Sequence, residues 1–350
     1  MLTYIILTKT FGRAIGPCLF NATEPGRDNF RSIYIEFCDK YYKAVISRSM
    51  SASAPSFVLP RPFLKWAGGK TRLIGQYQPY FPEKFTTYYE PFLGGGAVFF
   101  YLAQQHPSLQ AVLTDINPEL INAYCCVRDQ VEELIELLFE HASEHSKDNK
   151  EYYYSVRSRS YNTDIEKAAR LIYLNKTCYN GLYRENSKGQ FNVPMGRYKN
   201  PNICQVDLLR SVSSLLAPAQ IEVRKFDRIL DFATSSEDFV YFDPPYYPIS
   251  ATSNFTAYSR DNFKESEQIK LRDIFVELAQ RGVKIMLSNS NCDFIKEIYS
   301  DSQAFKRVPL PKQIEISASR GINSNSCKRG PVKELLISSV SRNTLCQVSG

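Results

Sequence analysis

The sequence contains no Cys-x-x-Cys pair, although nine cysteines are scattered over its 350 residues. The cysteines therefore give no zinc-ribbon or redox-pair spacing. Their odd number, with no evident secretory signal, makes reduced cytosolic thiols the expectation. Histidine is scarce, with three in all, and two of them fall in His141-Ala142-Ser143-Glu144-His145. That spells an inverted zinc-protease motif, but it lies in a polar stretch with no ligand-rich partner segment. A surface helix end is expected there, and no metal. No apolar run reaches the length of a membrane span. Met1 to Leu7 is apolar but lacks the basic start and small-residue cleavage site of a secretory signal. A phosphate-binding P-loop is missing too. Gly69-Lys70-Thr71 ends like one, but Leu64 stands where the motif needs its first glycine.

What is present begins with length and charge. A chain of 350 residues can bury one large core with room for a smaller second domain. Its formal charge of +7 permits a polyanionic partner. From Asn175 to Asn200 there are five basic residues (Lys176, Arg184, Lys188, Arg197, Lys199) against one acid, Glu185. From Lys306 to Lys333 there are seven against Glu315 alone. Such runs usually form a solvated face. Tyr179, Tyr183, Phe191 and Tyr198 interleave the first run, and aromatic rings that can wedge or stack on bases turn that reading toward nucleic acid.

The most informative residues are Asp243-Pro244-Pro245-Tyr246. They follow Phe239-Val240-Tyr241-Phe242, an apolar run with the character of a buried strand. In open α/β sheets the carboxyl end of a strand is where ligands bind. Two prolines remove two backbone donors. The loop can then only accept hydrogen bonds, through the Asp243 carboxylate and the Pro244 carbonyl, and the amino group of a base has two hydrogens to give. Tyr246 offers a face for stacking. A second feature is Glu90-Pro91-Phe92-Leu93-Gly94-Gly95-Gly96 between a short aromatic strand and a helical pattern from Ala97. Strand, glycine loop and helix form the nucleotide-binding turn of a Rossmann-like sheet. About twenty residues on, Ala111 to Asp115 gives a second strand ending in an acid, the position that binds a ribose hydroxyl. Asp115 also suits the N-cap of a helix from Pro118.

Residues 1–56 have no place in this pattern. Met50 opens a flexible tract, so the expectation is a natural start near Met50 or a poorly ordered extension. Strands are expected near 86–90, 110–114, 220–224, 239–242, 283–288, 304–308 and 334–339. Helices are expected to begin near Thr71, Ala97, Pro118, Ile165, Ile203, Ser266 and Asp293. The fold class is α/β, a Rossmann-like sheet made of residues 57–116 and 219–342. Residues 117–218 are inserted as a helical and hairpin target-recognition domain, and 343–350 form a tail. Asn180-Gly181 and Lys188-Gly189 are hairpin-turn chemistry.

Phe63-Leu64-Lys65-Trp66-Ala67-Gly68-Gly69-Lys70, the glycine motif, the segment 114–121, the segment 175–201 and Phe242-Asp243-Pro244-Pro245-Tyr246 occur in one order. That set resembles the Dam-type (D12 class, α group) DNA adenine-N6 methyltransferases, over about residues 62–340. The resemblance implies a Rossmann-like methyltransferase sheet. It implies S-adenosylmethionine as methyl donor and a flipped adenine of duplex DNA as acceptor, often in GATC. It implies that Trp66, Lys70, Glu90, Pro91, Gly94, Gly96 and Asp115 hold the cofactor, with Phe226 and Asp227 at its adenine end and Asp243 beside it. A helix N-cap is the plainer reading of Asp227. In the recognition segment, Tyr179, Asn180, Leu182, Arg184, Pro194 and Arg197 face DNA, Arg184 as a guanine reader and Pro194 against a thymine methyl. A cytoplasmic monomer, with a cognate restriction endonuclease as an optional partner, completes the expectation. Two alternatives stand beside it: an amino-methyltransferase acting on another base or on RNA, and a non-catalytic DNA-binding homologue.

Overall fold

A computed structural model describes residues 58–248, 263–318 and 332–340. The expectations for residues 1–56 and for the tail lie outside them. Seven strands form one sheet: β1 (Thr87–Glu90), β2 (Gln110–Asp115), β3 (Gln220–Val223), β4 (Asp238–Phe242), β5 (Lys284–Ser290), β6 (Lys312–Ala318) and β7 (Val332–Ser338). Their order is β3-β2-β1-β4-β5-β7-β6. The first five are parallel, while β7 runs antiparallel between β5 and β6. Every residue of β4 is buried, which is why Phe239–Phe242 reads as an unbroken apolar run. Neighbouring residues alternate between the two faces. Tyr88, Tyr241, Met286 and Leu336 join one apolar cluster, whereas Tyr89, Phe242, Leu287 and Ile337 join another.

The helices are α1 (Ile74–Tyr77), α2 (Ala97–Gln105), α3 (Pro118–Asp129), α4 (Val131–Lys147), α5 (Asn149–Ser158), α6 (Asp164–Thr177), α7 (Val206–Leu216), α8 (Glu265–Gln280) and α9 (Asp293–Ile298). Polar caps start several of them. Asn117 accepts from the amides of Glu119 and Leu120 at the start of α3, and Thr163 with Glu166 makes a reciprocal capping box on α6. The helical stretch between β2 and β3 shares its core with the sheet. Leu120, Tyr124, Leu134, Leu171 and Val212 belong to the same cluster as Tyr88 and Leu113.

Three expectations change. No strand forms at 304–308. Residues 302–307 are turns, with Phe305 buried against Tyr299 and Phe275, and the edge strand is Lys312–Ala318. The cap of α3 is Asn117, not Asp115. His141 and His145 are buried rather than at a surface helix end. Their ring nitrogens pair with the hydroxyls of Tyr152 at 2.8 Å and Tyr173 at 2.9 Å, because α5 and α6 close over this end of α4. Burial pushes the His141 imidazole down to about 4, so it is neutral in ordinary buffers. No group of potential metal ligands exists among the described residues, and none of the described helices is long and apolar enough to cross a membrane.

Candidate active site

Strand order reverses between β1 and β4, and the two motifs singled out in the sequence sit side by side at the ends of those strands. That is the switch point where open α/β sheets bind ligands.

The glycine loop leaves β1 through buried Pro91. Gly94 (φ 48°) and Gly96 (φ 65°) are both left-handed. A Cβ on Gly94 would lie 2.9 Å from Trp66 Cδ1, so glycine there lets the loop lie against the indole. Asp115 ties the loop to β2. Its Oδ2 accepts from the Gly94 amide at 3.1 Å and its Oδ1 from the Asn117 amide at 2.9 Å. Burial raises the Asp115 pKa, against the pull of those amides. Glu90 is also buried. Its Oε2 accepts from Tyr88 OH at 2.8 Å and from the Phe99 amide at 3.1 Å. Burial pushes this carboxyl up to about 8, and the nearby Asp243 charge adds to the rise. At the far end of the crevice Phe226 stacks on Phe92, with centroids 5.3 Å apart. Asp227 lies inside the short helix Phe226–Asp231 and is not its N-cap, a position taken by Lys225. Lys270 pairs with one oxygen of Asp227 and holds its pKa low. The other oxygen, Oδ1, is buried without a partner.

Several polar groups of the Asp243–Tyr247 loop are tied. Asp243 Oδ1 faces Lys70 Nζ at 2.7 Å and accepts from Ser288 Oγ at 2.8 Å. The Pro245 carbonyl accepts from Gln268 Nε2 at 3.0 Å. The Tyr247 amide donates to Asn289 Oδ1 at 3.2 Å, its carbonyl accepts from Ser290 Oγ, and Asn289 Nδ2 donates to Gln268 Oε1 at 2.8 Å. Tyr246 donates its hydroxyl to Glu334 Oε2 at 2.6 Å, and the buried Lys70 ammonium lies 4.9 Å from the Tyr246 ring centroid. Among the described residues, no hydrogen bond reaches Asp243 Oδ2 or the Pro244 carbonyl.

The segment 178–201 leaves α6 through Cys178. Tyr179 is half exposed, and its amide donates to the Pro194 carbonyl at 2.9 Å. Asn180 (φ 56°) and Gly181 (φ 65°) reverse the chain tightly, and the Leu182 amide returns to the Tyr179 carbonyl at 3.2 Å. The flanks of this turn do not pair with each other. Cys178 bridges to Met195, and Glu185 to Phe191. The hairpin closes at Asn186–Gln190 around Gly189, so only the second of the two expected turns is a hairpin turn. Arg184 is exposed and donates to Asn192 Oδ1 at 2.6 Å and to the Asn192 carbonyl at 3.2 Å. Arg197 and Pro194 are exposed as well.

The model of the D12 class of N6 adenine-specific DNA methyltransferases matches residues 66–316. The chain belongs to that class. This D12 methyltransferase is 43% identical over 285 residues to a Type II methyltransferase of Lactococcus lactis subsp. cremoris, covering 79% of the chain and 94% of the relative. It is 42% identical over 293 residues to a Type II methyltransferase of Methanocaldococcus jannaschii, with 79% and 98% covered. A DNA adenine methylase of Haemophilus influenzae is 36% identical over 280 residues, with 79% and 92% covered.

D12 methyltransferases use S-adenosylmethionine, and the crevice fits it. The left-handed Gly94 brings the loop backbone against Trp66, and Asp227 Oδ1 is a buried acceptor with no partner among the described residues, beside an aromatic shelf. Sequence reasoning missed the contacts that join Lys65 and Trp66 to the segment 175–183. Trp66 stacks on Tyr183 with centroids 5.4 Å apart. Asn175 accepts from the Lys65 amide at 2.8 Å and donates to the carbonyls of Lys65 at 2.7 Å and Gly181 at 3.1 Å. Ser288, Asn289, Gln268 and Glu334 were likewise not foreseen. The polar run Ser288-Asn289-Ser290, ending an apolar strand, was their one sequence signal.

Proposed function

We propose that this D12 enzyme methylates N6 of a flipped adenine in GATC, with Asp243 and Pro244 as the groups that receive the amino hydrogens. The observation that carries the chemistry is that no hydrogen bond from the described residues reaches Asp243 Oδ2 or the Pro244 carbonyl, on a loop fixed through Asp243 Oδ1, the Pro245 carbonyl and the Tyr247 amide. Adenine's exocyclic nitrogen is a weak nucleophile because its lone pair is delocalised into the ring. Two hydrogen bonds to these acceptors favour a more tetrahedral nitrogen. When bound, S-adenosylmethionine supplies a methyl group already activated on a sulfonium. As the N–C bond forms and the S–C bond breaks, positive charge develops on N6, and the fixed Asp243 carboxylate stabilises it before a proton leaves the nitrogen. Tyr246, held by Glu334, gives the flipped base a stacking face against an unstacking cost of about a few kcal/mol.

Trp66, Lys70, Glu90, Pro91, Gly94, Gly96, Asp115, Phe226 and Asp227 are the proposed cofactor shell. Tyr179, Asn180, Leu182, Arg184, Pro194 and Arg197 are the proposed DNA-facing set. Their match to the Dam-type pattern, on an exposed basic arm, supports GATC. The enzyme is proposed to act on duplex DNA as a cytoplasmic monomer. The Type II names of two relatives support a cognate endonuclease. Methylation of a GATC duplex and of each single-base variant is the test. Strong preference for GATC is expected. Equal methylation of all variants, or none of GATC, would refute the site while leaving the adenine chemistry standing.

A further inference from the structure

The two oxygens of Asp243 have unlike surroundings. Oδ1 accepts from Ser288 Oγ at 2.8 Å and faces Lys70 Nζ at 2.7 Å, while no partner among the described residues reaches Oδ2. Ser288 Oγ lies 3.0 Å from Tyr241 OH. A serine hydroxyl has a single hydrogen, here given to the carboxylate, so the Tyr241 phenol is the donor in that second pair. Tyr241 on β4, Ser288 on β5 and Asp243 therefore form one directed chain that ends on Oδ1. Tyr241 and Ser288 are fully buried, so water does not compete for these bonds, and each polarises the next. Lys70 cannot do the same work alone. An ammonium on a flexible stem acts as a point charge and does not define the plane of a carboxylate.

We propose that Ser288, backed by Tyr241, is a positioning residue that fixes the rotation of Asp243, so that Oδ2 is the oxygen meeting the adenine amino group. This rests on the adenine-N6 reading of the site. The other ionisable groups around Asp243 are Lys70 from the N-terminal motif, Tyr77 from α1, Tyr88 and Glu90 from β1, and Tyr246 of its own loop, itself held by Glu334 of β7. Tyr77 also faces Ser288 and Tyr241, so its surroundings change with either substitution.

The test measures methyl transfer to duplex DNA by the full chain carrying Ser288→Ala, Tyr241→Phe, or both, with kcat, KM for S-adenosylmethionine and the thermal midpoint for each. Ser288→Ala should lower kcat by about 10- to 100-fold, the size expected for a hydrogen bond to a charged group. Tyr241→Phe should lower it by a few-fold, and KM should hold in both. The double variant should match Ser288→Ala, since Tyr241 acts only through Ser288. The proposal is overturned if Ser288→Ala keeps kcat within twofold. It is overturned as well if the two losses multiply, or if the rate falls only in step with the folded fraction, which would mean a packing role. Should Ser288→Ala fail to fold, Tyr241→Phe keeps its ring in the core and reads the same fall in kcat at unchanged KM. A wild-type enzyme that transfers nothing to adenine would refute the reading beneath, a result distinct from all of these.

Discussion

Replacing Glu90 with glutamine should change how the stability of the cofactor-free protein depends on pH. Glu90 is buried at the end of β1, with Tyr88 and the Phe99 amide on one oxygen and no cation in hydrogen-bond reach. Burial lifts its pKa from 4.5 to about 8. The folded state therefore holds a proton that the unfolded chain gives up near 4.5. Its favourable contribution is full below that value and is lost as pH rises through about 8. Linkage between those two pKa values gives a loss of about 3 kcal/mol between pH 5.5 and pH 8. Glutamine stays neutral, and its carbonyl oxygen can still accept from Tyr88 and Phe99. Urea unfolding of both proteins at the two pH values gives the double difference, in which other titrating groups cancel. Wild type should lose about 3 kcal/mol more than Glu90→Gln on going to pH 8. Parallel losses, agreeing within about 0.5 kcal/mol, would refute the claim that Glu90 is protonated in the free protein near neutrality.

Asp243→Ala should abolish methyl transfer in a radiolabel assay. It should also destabilise the fold by about 3 kcal/mol, because it strands the buried Lys70 ammonium; adding Lys70→Met should restore stability without activity. Turnover within a few-fold of wild type would remove Asp243 from the chemistry. Gly94→Ala should cost roughly 1–3 kcal/mol by thermal melting, since φ 48° strains an alanine and its Cβ meets Trp66, and cofactor affinity measured by calorimetry should fall with it. Arg184→Ala should lose about 1–3 kcal/mol of discrimination at one base pair of the target in the single-base duplex series. A uniform loss on every duplex, with a shallower salt dependence, would make Arg184 a phosphate contact instead.

The parts of this enzyme carried by local pattern were legible. The apolar run of β4, the glycine loop after β1 and the acid ending β2 each reveal their place through neighbouring residues. The run 304–308 misled because Phe305 is buried from within a turn, and its sequence carries no sign of which element buries it. His141 and His145 looked solvated among glutamates, and only the packing of two later helices hides them. The loop's supports come from positions 268, 288–290 and 334, far apart in the chain, where a serine or glutamine carries no local mark of its destination. Tyr183 shows the same limit. Nothing beside it in sequence indicates that its ring lies on Trp66.

The junction at the centre of the sheet also governs the order in which the molecule assembles. Thr87 of β1 pairs with Asp238 of β4, about 150 residues later, so the crevice requires the longest loop closure between neighbouring strands. The helices between 118 and 216 close their backbone hydrogen bonds locally and are expected to form quickly by comparison. Once folded, they draw the two ends together and replace a long slack loop with a compact spacer. The helical stretch between β2 and β3 is then expected to act as a folding aid for the crevice. Pulse-labelled hydrogen exchange should find amides of α3 and α6 protected before those of β1 and β4; simultaneous protection would contradict that order.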